Sequence, residues 1–177
     1  ETDLQSLQAR LYADLADFVG RDDGYAFYDR FDNIIGVTNG IDRAAHERFQ
    51  ERVRNQYPIT ASMSVGTGPT PMDALGIATE KLQTAGSAQD PTRTEILAIE
   101  ETVGSTGGEL TIAHFDIVDV TGTYTDEHNA ARTTLDVRRA TLELSEYMQA
   151  EHGSVARFVG GDNVIAVCPT LPQEAFD

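Results

Sequence analysis

The chain has 177 residues, 40% hydrophobic and 24% charged, which is ordinary globular composition with material for one sizeable core or two small ones. Asp and Glu number 29 against 13 Lys and Arg, a net charge of −16, and Lys81 is the one lysine among those cations. That field opposes bare polyanions, so nucleic-acid binding through a basic patch is excluded, and no apolar run approaches the roughly 20 residues of a membrane span.

A lysine-poor acidic surface reads as adaptation to a salt-rich cytoplasm, with a merely acidic protein as the alternative. The chain starts at Glu1 with no charged-then-apolar leader, so a soluble, cytoplasmic protein is expected. Cys168 stands alone, which excludes an intrachain disulfide and a multi-cysteine zinc site. The histidines His46, His114, His128 and His152 show no metal-ligand spacing. Any metal should therefore be a hard cation held by carboxylates and carbonyls, Mg²⁺ or Mn²⁺.

In chain order, Leu4, Leu7, Leu11, Leu15 and Phe18 predict an amphipathic helix ended by Gly20. Tyr25 to Arg30 and Ile34 to Thr38 predict a hairpin around Asp32-Asn33. A helix from Asp42 to Tyr57 follows, then a strand from Ile59 to Val65, then a helix from Pro71 to Ala85. Gly86 to Pro91 is a polar loop. The apolar run Ile96 to Ile99 fits a strand or a helical turn equally.

Gly104 to Gly108 is the expected domain boundary. Beyond it the order restarts: a strand Leu110 to Val120, a helix Asn129 to Glu151, and a second hairpin, Ser154 to Phe158 with Val164 to Val167. Asp32-Asn33-Ile34-Ile35-Gly36-Val37 answers Asp162-Asn163-Val164-Ile165-Ala166-Val167, an internal repeat. The implied class is α+β, with antiparallel sheets and helices packed on one face. Each copy is incomplete, the first before its opening helix and the second after its hairpin, so a longer parent chain is expected.

Two carboxylates of the second copy suit a metal. Asp116 lies on a mostly apolar strand, where burial is costly without a cation, and Asp162 lies at the tip of the neighbouring hairpin. Gly160 and Gly161 allow backbone to approach a phosphate. Asn33 and Asn163 offer both donors and acceptors, as a guanine edge requires. His114, two positions before Asp116, shares its strand face and is the histidine to test as a catalyst. The competing reading is structural: Asp-Asn is common turn chemistry, and Asp116 suits a solvent-facing strand end.

At the hairpins and the helices around them, the sequence resembles the GTP cyclohydrolase III family. The matching stretches run from Asp3 to Tyr12 and Phe27 to Ile35, then Thr38 to Asp42, Gly86 to Asp90 and Phe158 to Asn163. The resemblance implies tandem palm (ferredoxin-like) domains, at 1–104 and 109–177. It implies a Mg²⁺-dependent hydrolase that opens the imidazole ring of GTP, keeps the formyl group and releases phosphate, feeding riboflavin and deazaflavin synthesis. It also implies metal binding by Asp116, Asp162 and Asp32, and nucleotide contacts near Asn33 and Asn163. A homo-oligomer is expected by analogy with palm domains. Two alternatives stay open. Arg157 to Asp162 resembles the start of the GGDEF cyclase signature, but Asn163 replaces its glutamate. A non-catalytic nucleotide-binding module is the other.

Overall fold

The computed structural model describes residues 2–30, 33–86, 95–99, 110–116, 130–160 and 163–171. Helices α1 (Thr2–Gly20), α2 (Arg43–Gln56), α3 (Pro71–Thr84) and α4 (Ala130–His152) alternate with strands. The strands are β1 (Tyr25–Arg30), β2 (Asn33–Val37), β3 (Met63–Ser64), β4 (Leu97–Ala98), β5 (Leu110–Asp116), β6 (Val155–Gly160) and β7 (Asn163–Pro169). The architecture is α+β. Two compact units result, Glu1–Thr67 with Ala74–Gly107, and Gly68–Asp73 with Gly108–Asp177. The expected junction at Gly104 to Gly108 and the loop Ser87 to Asp90 lie outside the described residues.

In the first unit α1 lies over the β1–β2 hairpin. Its apolar stripe supplies Phe18 and Val19 to a core completed by Ala26, Ile41, Phe49 and Val53, with Leu11 and Leu15 packed against it. Leu4, at the other end of the stripe, is 57% exposed and takes no part in that core. Asp42 caps α2 by accepting from the Ala45 N–H at 2.7 Å.

Two expectations are corrected here. Among the described residues, the strand read from Ile59 to Val65 pairs only at Met63 and Ser64, and its partner β4 runs parallel to it, not antiparallel. The physical reason lies in side chains that take up the neighbouring backbone groups. Gln50 donates to Ala61 O at 2.7 Å, the Glu95 carboxylate accepts from the Ala61 N–H at 3.2 Å, and the Ser62 hydroxyl oxygen accepts from the Ile96 N–H at 3.3 Å. The ladder stops where those groups are already satisfied. The parallel direction follows from the crossover through α3, which returns the chain to the same end of the pair.

In the second unit the sheet order is β5-β7-β6, antiparallel throughout, with β7 central. Helix α4 covers one face, where Met148 meets Ala156, Val164, Ala166 and Cys168. The two hairpins match in detail. Each carries a register irregularity at the penultimate residue of its first strand, at Asp29 between Tyr28 and Arg30 and at Val159 between Phe158 and Gly160. Each then closes on an asparagine, with Arg30 opposite Asn33 and Gly160 opposite Asn163. Each is entered through a residue at positive φ, Asp23 at 55° and Gly153 at 59°.

Candidate active site

The face of the second sheet away from α4 carries the polar groups. Strand alternation sends Ala113 and Phe115 into the core under α4 and turns Ile112, His114 and Asp116 the other way. All three of the latter are exposed. Register then decides their neighbours: Asp116 lies opposite Asn163, and His114 lies opposite Ile165. Val155 and Val167 share this face at the far end from the hairpin, and both are buried. The polar end is the open end.

One contact ties the group together. His114 Nε2 lies 2.7 Å from Asn163 Oδ1. With the amide oxygen as acceptor, Nε2 carries the hydrogen and donates, which leaves the Nδ1 lone pair as an acceptor. Asp116, beside them, makes no hydrogen bond or ion pair among the described residues. A positioned imidazole with a basic nitrogen and an uncommitted carboxylate can remove a proton from water and hold a hard cation, respectively.

The expectations at this site fare unevenly. The strand of Asp116 does neighbour the hairpin that carries Asp162, as metal sharing requires, and Asn163 beside Asp162 in sequence is Asp116's register partner. Asp162, Gly161 and Asp32 lie outside the described residues. Gly160 closes β6 opposite Asn163, while Asn33 is exposed at the start of β2. The desolvation argument for Asp116 is corrected: its carboxylate is exposed at a strand end, so burial does not demand a cation there. Its case rests on position and on the absence of a side-chain partner among the described residues. Among the described residues, no three His, Cys, Asp or Glu side chains gather as a ready-made metal cage.

Sequence reasoning missed Arg157. It lies opposite Ile165 on the second side of β7, so one row across the open face reads His114, Ile165, Arg157. Period-two counting along β6, with Ala156 as a core residue, is the signal that places it there. Arg157 Nη1 donates to Ala156 O at 2.8 Å. Cys168 contributes no chemistry: burial pushes its thiol above the usual range, against a weaker opposing contact from Ser154, and it packs in the core. No described helix is long and apolar enough to cross a membrane.

The family model described as GTP cyclohydrolase III matches residues 1–177. The chain is 54% identical to "GTP cyclohydrolase III 2" of Halobacterium salinarum, over 100% of this chain and 71% of that protein. It is 52% identical to "GTP cyclohydrolase III" of Halorubrum lacusprofundi, over 99% of this chain and 68% of that protein. With "GTP cyclohydrolase III" of Methanocaldococcus jannaschii it shares 45% identity, over 99% of this chain and 65% of that protein. On the strength of a match along its full length, this chain belongs to the GTP cyclohydrolase III family.

Proposed function

We propose that the chain forms tandem palm domains of a GTP cyclohydrolase that adds water across the carbon 8–nitrogen 9 bond of GTP. The formyl group stays on the former nitrogen 7, two further waters cut the triphosphate to a monophosphate with release of two inorganic phosphates, and the product is 2-amino-5-formylamino-6-(5-phosphoribosylamino)pyrimidin-4(3H)-one. GTP as substrate follows from the family. The observation that carries the catalytic reading is the 2.7 Å contact of His114 with Asn163, beside Asp116, on the open sheet face.

In this reading His114 is the general base toward the water that attacks carbon 8, using Nδ1, and Asn163 holds its ring in the tautomer that leaves Nδ1 basic. Asp116 supplies an exposed oxygen ligand of the hard type that Mg²⁺ prefers, and Asn163 is an oxygen-bearing neighbour, so the donor set fits that ion. Asp162 is proposed as a second ligand on sequence grounds, and Asp32 as its counterpart in the first unit. When bound, Mg²⁺ neutralises the triphosphate and polarises water. Arg157, in the same row as His114, supplies positive charge toward an anionic substrate. Self-association is supported by Leu135 and Leu142, one heptad apart on α4 and 63% and 59% exposed.

The test is product identity. Full-length protein incubated with GTP and Mg²⁺ yields the formylaminopyrimidine monophosphate and inorganic phosphate. A cyclic nucleotide with pyrophosphate refutes the assignment in favour of a cyclase. His114→Gln lowers ring opening by about 10²-fold or more, the scale of a lost general base, and unchanged ring opening in that variant removes His114 from the role.

A further inference from the structure

We propose that the first unit carries an anion site of its own, a groove between α1 and α2 that binds a phosphate group. The groove is open, about 330 Å³, at the small end of ligand clefts, which run roughly 300–1,000 Å³. Arg21 and Asp22, just past α1, and Arg48 and Arg52 of α2 line it, over the rings of Phe18 and Phe49. The two α2 arginines are four residues apart, so they lie one above the other on the same helix face. Phe49 turns into the core and stacks on Phe18 with ring centroids 4.7 Å apart. The Arg52 guanidinium lies over the Phe49 ring, 5.2 Å from its centroid, which holds the charged head at the groove.

The chain has 29 carboxylates for 13 Lys and Arg, so each arginine has ample choice of partners. The other two arginines of α2 take them: Arg43 pairs with Glu47 and Arg54 with Glu95. Arg21 pairs with Asp17 at 2.6 Å. Arg48 and Arg52 make no ion pair among the described residues. Two neighbouring cations repel each other, and an anion between them removes that repulsion. Together they match one phosphate group, about −1.5 to −2 near neutral pH, and the guanidinium forks suit its oxygens. Arg21 keeps N–H groups beyond the one given to Asp17 and can donate as a third partner. Asp22, the acidic member of the lining, is exposed, where salt weakens its repulsion.

The groove lies where the chain passes from α1 into β1. The turn before Asn33 is at the other end of β1, six residues and about 20 Å away. A phosphate bound here is therefore separate from the hairpin end, and the inference stands without the GTP reading. With the hairpins aligned on Asn33 and Asn163, a constant offset puts the exposed Glu151 where the first unit has Arg21. The site belongs to the first unit.

Calorimetric titration of the full-length protein with inorganic phosphate tests the site. KCl is held constant, so that screening of the acidic surface cannot mimic binding, and EDTA removes metal that could carry phosphate elsewhere. Saturable binding is expected. Arg48→Gln and Arg52→Gln each weaken it about ten-fold or more, as loss of a charge-assisted hydrogen bond entails. Gln is close to Arg in helix propensity, so α2 is kept, and circular dichroism checks both variants. Arg157→Gln, in the second unit, leaves the affinity within about two-fold of wild type. Ribose 5-phosphate identifies the source: binding as tight as phosphate or tighter assigns a phosphomonoester, and weaker binding assigns the free ion. Absence of saturable binding in wild type overturns the site. So does an affinity unchanged in both α2 variants, or one lost in Arg157→Gln.

Discussion

At His46 the fold decides where a proton can sit. Its Nδ1–H donates to the Asp42 carbonyl at 2.8 Å, which leaves Nε2 as a buried lone pair with no hydrogen-bond partner among the described residues. Burial pushes its pKa below the ordinary 6.5, outweighing the Asp42 carbonyl and carboxylate, which pull it up. The native state thus favours the neutral ring, while the unfolded chain gains a proton near the ordinary value. The resulting stability is complete above about pH 6.5 and drains away as pH falls from there to the lowered native value. Replacing His46 with Phe keeps an aromatic partner for Phe18, whose ring now meets the imidazole edge-on at 5.2 Å, and removes the titration. The melting temperature of His46→Phe should fall less than that of wild type between about pH 7 and pH 5. Parallel curves for the two proteins would show that His46 is not the group responsible.

The site residues differ in how visible they were before folding. His114 and Asp116 could be placed on one strand face by counting twos. The contact of His114 with Asn163 joins residues 49 positions apart and depends on register, which no local pattern contains. Arg157 was masked by its place in a signature look-alike, although the same counting puts it on the open face. The error over Asp116 came from equating an apolar strand with a buried one. Alternation lets Phe115 pack in the core while Asp116, one residue on, faces solvent at the strand end.

Among the elements, the helices and both hairpins were legible because each has a strong period and a clear stop. The β3–β4 pair was not. Its ladder is two residues long because Gln50, Glu95 and Ser62 side chains bind the flanking backbone, and such capture leaves no hydrophobic signature. The turn after β3 is constrained just as tightly. A Cβ at Gly66 would lie 2.1 Å from Ala74 O and 2.6 Å from Ala78 N, backbone atoms of α3 that cannot yield without moving the helix. Gly66→Ala should therefore cost about 2 kcal/mol or more, within the range for overpacked sites. Chemical denaturation measures this directly, and a loss under about 0.5 kcal/mol, the level of an ordinary surface change, would mean that α3 does not approach so closely.

For the whole molecule, the repeat signalled in sequence by a shared Asp-Asn hairpin extends to the register irregularity, the positive-φ entry and the asparagine closure. What the repeat did not reveal is that the two copies carry different side chains at equivalent places. The first has a groove lined by Arg21, Arg48 and Arg52, and the second has the His114–Asn163–Asp116 group on its open sheet face. We propose that Asp116 serves the metal on which GTP turnover depends. The most direct test compares the Mg²⁺ dependence of GTP hydrolysis in full-length wild type and Asp116→Asn, a change that keeps shape at an exposed position. The expected result is a fall in kcat of about 10²-fold or more together with a higher Mg²⁺ requirement, as loss of a ligand entails. Wild-type kcat reached at wild-type Mg²⁺ concentrations would contradict it.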